Sequence, residues 1–248
     1  MKKLLFLLNM MFALPVAVFA AGLDLTWNEC VGMGTEANDK TFVCTGTVNQ
    51  SYNLVIQFKS PVTLSAAAEV YAIIDLEIEQ GVHLPLSPFW RYEPDGCQRP
   101  SAGINGVALF DDIRLLPGCA GQDADLWDGD GSAGFEGMAY EPDFPTPGRG
   151  RFILFDARGS GIPLAAGANY YAFHLVFNNR HRVDCAGCGQ KVAMFLDKMT
   201  ISSTDGTPAL EVVGPDKKFN CATIQGAFCF TPDPTRIDTW GRIKAAYR

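Results

Sequence analysis

"VYAIIDLEIE", residues 70–79, places Val70, Ala72, Ile74, Leu76 and Ile78 on one side of an extended chain. Toward its end the other side carries Asp75, Glu77 and Glu79. Apolar residues at every second position fit a strand buried on one face, because successive strand side chains point to opposite faces. A helix would scatter the same residues around its circumference. The segment reads as β.

The same rhythm recurs outward from it. "LDLTWNE" (23–29) sets Leu23, Leu25 and Trp27 against Asp24, Thr26 and Asn28, and "YNLVIQFK" (52–59) sets Tyr52, Leu54, Ile56 and Phe58 against Asn53, Gln57 and Lys59. Further strands are expected in "GVALFDDIRL" (106–115), "RFILFDAR" (151–158), "NYYAFHLVFNN" (169–179), "KVAMFLDKMTI" (191–201) and "PALEVVG" (208–214). Turn-rich pieces separate them, among them "RYEPDGCQRPSAG" (91–103), "WDGDGSAG" (127–134) and "EPDFPTPGRG" (141–150). Many short strands without alternating helices predict an all-β fold, a single antiparallel β-sandwich or jelly roll, and "IPLAAGANYYAFHLVF" (162–177) resembles cohesin and carbohydrate-binding sandwiches at the level of the fold. Trp27, Tyr170, Tyr171, Phe173 and Phe177 are expected in its core, and His174 is expected to be a hydrogen-bonded strand residue.

The ends set the context. Lys2 and Lys3 precede an uncharged apolar stretch over 4–20, and Val18 and Ala20 supply the small residues that a cut after Ala20 needs. Residues 1–20 therefore read as a signal peptide, too short for a bilayer span of about 20 apolar residues. No transmembrane segment is expected after cleavage, since later apolar stretches carry charges every few residues. The β-sandwich is expected over 21–230. Residues 231–248 read as a proline-containing linker and a terminal peptide in which Trp240, Ile243 and Tyr247 would share one face of a short helical tail. Removing residues 1–20, whose only charges are two lysines, deepens the net charge from −7 to −9. That balance disfavours nucleic acid and anionic membranes as partners.

Eight cysteines form an even set: Cys30, Cys44, Cys97, Cys119, Cys185, Cys188, Cys221 and Cys229. In an exported chain they imply three or four disulfides, and hence a secreted, periplasmic or cell-surface protein. Proximity in sequence suggests Cys30–Cys44, Cys97–Cys119, Cys185–Cys188 and Cys221–Cys229, although proximity alone does not fix connectivity. The Cys185–Cys188 motif lies between two alternating strands, so it is expected in a hairpin loop. It lacks the helix start of a thioredoxin-like centre and a second pair of zinc ligands, and reads as a structural staple.

Other candidate chemistry is sparse. Asp123, Asp125, Asp128 and Asp130 could offer oxygen ligands to calcium, but "DADLWDGDGSAGFE" (123–136) misses the EF-hand template, and no other cofactor is expected. Trp90, Tyr92 and Trp127 fall in or beside loops, where flat aromatic faces can bind sugar rings or protein partners. No nucleophile elbow, dinucleotide loop or phosphate cradle is visible, and no catalytic residue is named.

Four segments carry a resemblance: "LDLTWNEC" (23–30), "LPLSPFWRYEPDGC" (84–97), "YYAFHLVFNNRHRVDCAGC" (170–188) and "TPDPTRIDTWGRIKAAYR" (231–248). They resemble a group of uncharacterised exported bacterial proteins that share an L-x-W-x-x-C opening, an aromatic L-P-x-x-W segment, a C-x-G-C hairpin and a T-W-G-x-x-K-x-x-Y-R terminus. The resemblance implies a secreted β-sandwich and nothing catalytic. The leading expectation is a non-enzymatic structural, adhesive or binding module whose partner is an unknown protein or glycan at the cell surface. A carbohydrate-binding domain using the loop aromatics is the alternative, and a secreted hydrolase with a non-local site ranks below both.

Overall fold

The computed structural model describes residues 22–30, 37–45, 50–78, 84–93, 97, 106–116, 119, 124–127, 135–144, 148–178, 185–204, 208–213 and 220–229. The expected signal peptide and terminal peptide, Trp240, Ile243 and Tyr247 included, lie outside the described residues. The strands are β1 (Gly22–Trp27), β2 (Asp39–Lys40), β3 (Ser51–Lys59), β4 (Leu64–Ile78), β5 (Val107–Phe110), β6 (Ala124–Asp125), β7 (Phe135–Pro142), β8 (Arg149–Leu164), β9 (Asn169–Asn178), β10 (Val192–Ser202), β11 (Pro208–Val213) and β12 (Cys221–Ile224).

They form two packed sheets, as the alternation predicts. One runs β1-β3-β9-β5, with β6 also on β9; the other runs β2-β12-β10-β4-β8-β7, with β11 also on β10. Pairing is antiparallel except for two short parallel contacts, β2 with β12 and β6 with β9. Residues 70–78 of the quoted stretch form the second half of β4, between β10 and β8, with Val70, Ala72, Ile74 and Leu76 buried between the sheets. Trp27 is buried too, its ring edge-on to Phe42 at 5.6 Å and to Phe177 at 5.7 Å.

Two bulges keep the core continuous. Opposite Ile56 and Gln57, β9 carries one extra residue, so Phe173 pairs with Ile56 while Tyr171 pairs with Gln57. The unpaired Ala172 shifts the phase: Tyr170 and Ala172 face the main core before it, Phe173, Leu175 and Phe177 after it. Tyr171 and His174 are thereby turned to the outer face together, where the Tyr171 hydroxyl and His174 Nδ1 are 2.7 Å apart. In β10 the extra residue is Asp197, which lets Val192, Met194 and Leu196 share the core with Met199 and Ile201.

Residues 37–40 tie the two sheets along one side. Ala37 exchanges both backbone hydrogen bonds with Trp27 of β1, at 2.8 and 3.1 Å, while β2 pairs with β12. The Trp27 indole N–H adds a bond to the Thr223 carbonyl at 2.9 Å.

The connectivity departs from the sequence reading in two respects. Strands β9 and β10 belong to different sheets, so the chain between them crosses from one layer to the other and is no hairpin. Three of the four suggested disulfides are also overturned. The bridges are Cys30–Cys119, Cys44–Cys188 and Cys97–Cys185, with only Cys221–Cys229 as expected. Cys185 and Cys188 share one turn yet bond to different segments, because the fold brings parts of the chain 88 to 144 residues apart into contact.

Candidate functional site

One end of the sandwich is where β4, β7, β9 and β12 finish and where β3, β8 and β10 begin. Its centre is the turn that follows Cys185. The bridge from Cys188 reaches the segment after β2, and the bridge from Cys185 reaches Cys97. Hydrogen bonds complete the join. The Trp90 indole N–H donates to the Gly187 carbonyl at 3.1 Å, as does the Ser87 hydroxyl at 3.1 Å, and the Ser87 amide donates to Gln190 Oε1 at 2.9 Å. Across the turn, Gln225 Nε2 lies near the Phe42 carbonyl at 2.9 Å, the Cys188 carbonyl at 3.3 Å and Cys44 Sγ at 3.4 Å. Gln225 itself holds φ 59, a strained conformation that persists only where its surroundings over-determine it.

Gly187 is the pivot. Its φ of +97 lies in the left-handed region, and an added Cβ would collide with the Ser87 side chain. Gly187→Ala is expected to cost about 2 kcal/mol through backbone strain alone. A melting temperature equal to that of the parent would show that the turn gives way freely.

The three aromatic residues expected in or beside loops as candidate binders of sugar rings or protein partners all lie in the core. Trp90 and Tyr92 are buried in the main core; Tyr92 is edge-on to Tyr140 at 5.5 Å, and the Tyr140 hydroxyl donates to the Trp90 carbonyl at 3.3 Å. Burial pushes both tyrosine hydroxyls well above their usual range. Trp127 is buried too, its indole N–H donating to the Ala172 carbonyl at 2.6 Å. Both indole N–H groups are thus bonded to backbone carbonyls, and all three rings are buried rather than exposed on loops. Of the acidic quartet, Asp123, Asp128 and Asp130 lie outside the described residues, and Asp125 is described only as backbone of β6. Among the described residues no group of three or more His, Cys, Asp or Glu side chains is placed to hold a metal ion.

What this end does present is apolar. Leu84, Phe144 and Phe228, on the loops beyond β4, β7 and β12, are 54, 42 and 65 % exposed. Lys191 Nζ stands 5.4 Å from the centre of the Phe228 ring, and the Arg151 guanidinium 4.6 Å from that of Phe144. Arg151 is itself fixed by a two-pronged ion pair with Asp75 at 2.6 and 2.9 Å.

No known family model matches this chain, and no curated protein is significantly similar to it. The site must be read from its own geometry.

A second cluster lies away from the stapled end. The pairing of β7 with β8 sets Glu136 directly across from Asp156, which is 1 % exposed. Arg158 forms an ion pair with Asp111 and donates a hydrogen bond to Asp156 at 3.4 Å, and its guanidinium lies 5.2 Å from the centre of the Trp127 ring. Burial first, and the neighbouring Glu136 charge second, push the Asp156 carboxyl up to about 7. Among the described residues, Asp156 Oδ1 and Arg158 Nε have no hydrogen-bond partner. The sequence signal was in "RFILFDAR", where Phe152, Leu154, Asp156 and Arg158 alternate, so an apolar face continues into a charged pair. On the outer face of the other sheet, burial holds His174 down to about 4, with the Asp112 charge opposing, and keeps the imidazole neutral.

Proposed function

We infer that the chain is an exported, non-enzymatic binding or structural module that offers its stapled end to a protein partner at the cell surface. One observation carries this reading: exposed Phe228 and Leu84 stand on loops anchored to a turn held by two disulfides. A pre-ordered surface loses little conformational freedom on binding, and aromatic side chains are enriched at the centres of protein interfaces. Four disulfides belong to an oxidising compartment. Release outside the cell, retention in the periplasm and attachment at the surface are all consistent with that chemistry. The sugar-binding alternative loses its support with the burial of Trp90, Tyr92 and Trp127.

The test titrates labelled, fully oxidised protein onto intact cells of its native host and compares the parent with Leu84→Ser/Phe228→Ser. The expected result is saturable, protease-sensitive binding that weakens by about tenfold or more in the variant, at an unchanged melting temperature. Equal binding by the variant would remove this end from the interface. Binding that survives protease and is competed by soluble glycans would move the protein to the carbohydrate-binding class.

A further inference from the structure

Two bridges leave one turn, Cys185 to Cys97 and Cys188 to Cys44, and their four cysteines differ in exposure. Cys44 is exposed, Cys97 and Cys185 are half-buried, and Cys188 is buried. An external thiolate must reach a disulfide sulfur to displace its partner, so access selects the sulfur attacked. We propose that Cys44 is a covalent capture site for small-molecule thiols, driven by a relay in which Cys188 and Cys185 form a bond with each other. The proposal does not depend on what, if anything, binds at this end.

The steps balance. The incoming thiolate bonds to Cys44 Sγ, and the electron pair of the Cys44–Cys188 bond leaves on Cys188 Sγ. The Cys188 thiolate then attacks Cys185 Sγ, forming Cys185–Cys188 and releasing Cys97 as a thiolate. Cys97 takes up the proton that the incoming thiol gave up. One thiol is consumed and one is produced, with no net oxidation or reduction.

The fold favours each step. Gln225 Nε2, bonded to both Cys44 Sγ and the Cys188 carbonyl, holds the first bridge at the surface. The backbone turns through residues 186–189, directly after Cys185. Such a turn brings residues three apart within about 7 Å, close to the Cα separation of about 4.4–6.8 Å that a disulfide spans. Apart from its own chain neighbours, no atom of the described residues lies within 4 Å of where a side chain would begin at Gly189, just past Cys188. The second attack and re-closure of the first bridge are both intramolecular, and the relay traps the captured thiol by committing the Cys188 thiolate to Cys185. Its product unties Cys44 and Cys97 from the turn while Cys30–Cys119 and Cys221–Cys229 stay closed.

The experiment incubates the oxidised protein with glutathione under conditions that preserve its circular dichroism, quenches with acid, alkylates and maps the peptides. The expected products carry glutathione on Cys44, a Cys185–Cys188 link and an alkylated Cys97. Glutathione appearing first on Cys30, Cys119, Cys221 or Cys229, or no adduct while the fold persists, would overturn the capture site. An adduct on Cys44 with Cys188 alkylated and no Cys185–Cys188 link would overturn the relay. In a Cys97→Ser/Cys185→Ser variant the adduct should accumulate about tenfold less, because Cys188 is left free to close the bridge again. If that variant does not fold, the peptide map of the parent protein decides alone.

Discussion

Replacing Cys44 and Cys188 together by alanine should lower stability by about 4 kcal/mol, well beyond the effect of removing Cys221 and Cys229. The first bridge joins residues 144 apart in sequence, the second residues 8 apart. In the chain-entropy account, a cross-link stabilises by shrinking the unfolded ensemble, and the effect grows with the logarithm of the loop it closes. Taken alone, the long bridge would contribute about 5 kcal/mol and the short one about 2.5 kcal/mol. The other bridges shorten the effective loop. A covalent path from Cys44 to Cys188 runs through Cys30–Cys119 and Cys97–Cys185 and covers roughly 40 residues, which brings the expected loss to about 4 kcal/mol. For a chain of this size that corresponds to a fall in melting temperature of roughly 8–16 °C. Thermal and urea unfolding of the two double variants check it. A Cys221→Ala/Cys229→Ala variant that loses as much as Cys44→Ala/Cys188→Ala would contradict this ranking. Alkylation checks the connectivity itself, because Cys44→Ala/Cys188→Ala should leave no free thiol whereas local pairings would leave Cys30 and Cys185 free.

That ranking also shows what the sequence could convey. Alternation is a local property, so "LDLTWNE", "YNLVIQFK" and "VYAIIDLEIE" announce β1, β3 and β4 with their buried faces. Disulfide partners are a product of topology, and no local pattern says that the turn after Cys185 meets segments from both earlier parts of the chain. Short strands were also silent. β2 and β6 have two residues each, and β7 contains Gly137 and Pro142, which weaken any strand signal. The bulges were legible in principle. In "KVAMFLDKMTI" the apolar positions step from Val192, Met194 and Leu196 to Met199 and Ile201, a change of phase across Asp197 and Lys198.

The candidate site was less readable than the fold, for a physical reason. A tryptophan among prolines and glycines looks the same whether its ring faces water or plugs a loop against the core. For Trp90 the difference is made by the Gly187 carbonyl, 97 residues away in sequence, which accepts its indole N–H. Exposed Phe228 and Leu84 stand out only once their neighbours are buried. Asp156 is a partial exception, since a charge in phase with Phe152 and Leu154 is visible in the sequence as a conflict with the strand's apolar face.

Two buried groups should tilt the pH dependence of stability in opposite directions. The Asp156 carboxyl, pushed up to about 7 by burial and by Glu136, stays protonated in the folded protein while the unfolded chain ionises near pH 4. Between those limits the folded state holds the extra proton, so stability falls as pH rises. His174, held down to about 4 by burial, works the other way: from pH 6.5 down to 4 the unfolded chain takes up a proton that the folded protein refuses, so stability falls as pH drops. The two slopes largely cancel over this range, and each single variant should unmask the other. Asp156→Asn should leave the His174 slope, a gain of about 3 kcal/mol from pH 4 to 6.5. His174→Gln, whose amide can donate to or accept from the Tyr171 hydroxyl, should leave the Asp156 slope. There the loss from pH 4 to 7 is about 2 kcal/mol, half of the unscreened upper limit of about 4, because the Arg158 guanidinium lies beside the carboxyl. Glu136, raised by its own burial, adds to the loss, while Asp112, lowered by its hydrogen bond to Arg114, acts below this window. Urea unfolding of the parent, the two single variants and the double variant across the range measures all four slopes. Slopes of the same sign in Asp156→Asn and His174→Gln would mean that one of these groups is not buried as described, and a double variant steeper than either single would place the pH dependence elsewhere in the molecule.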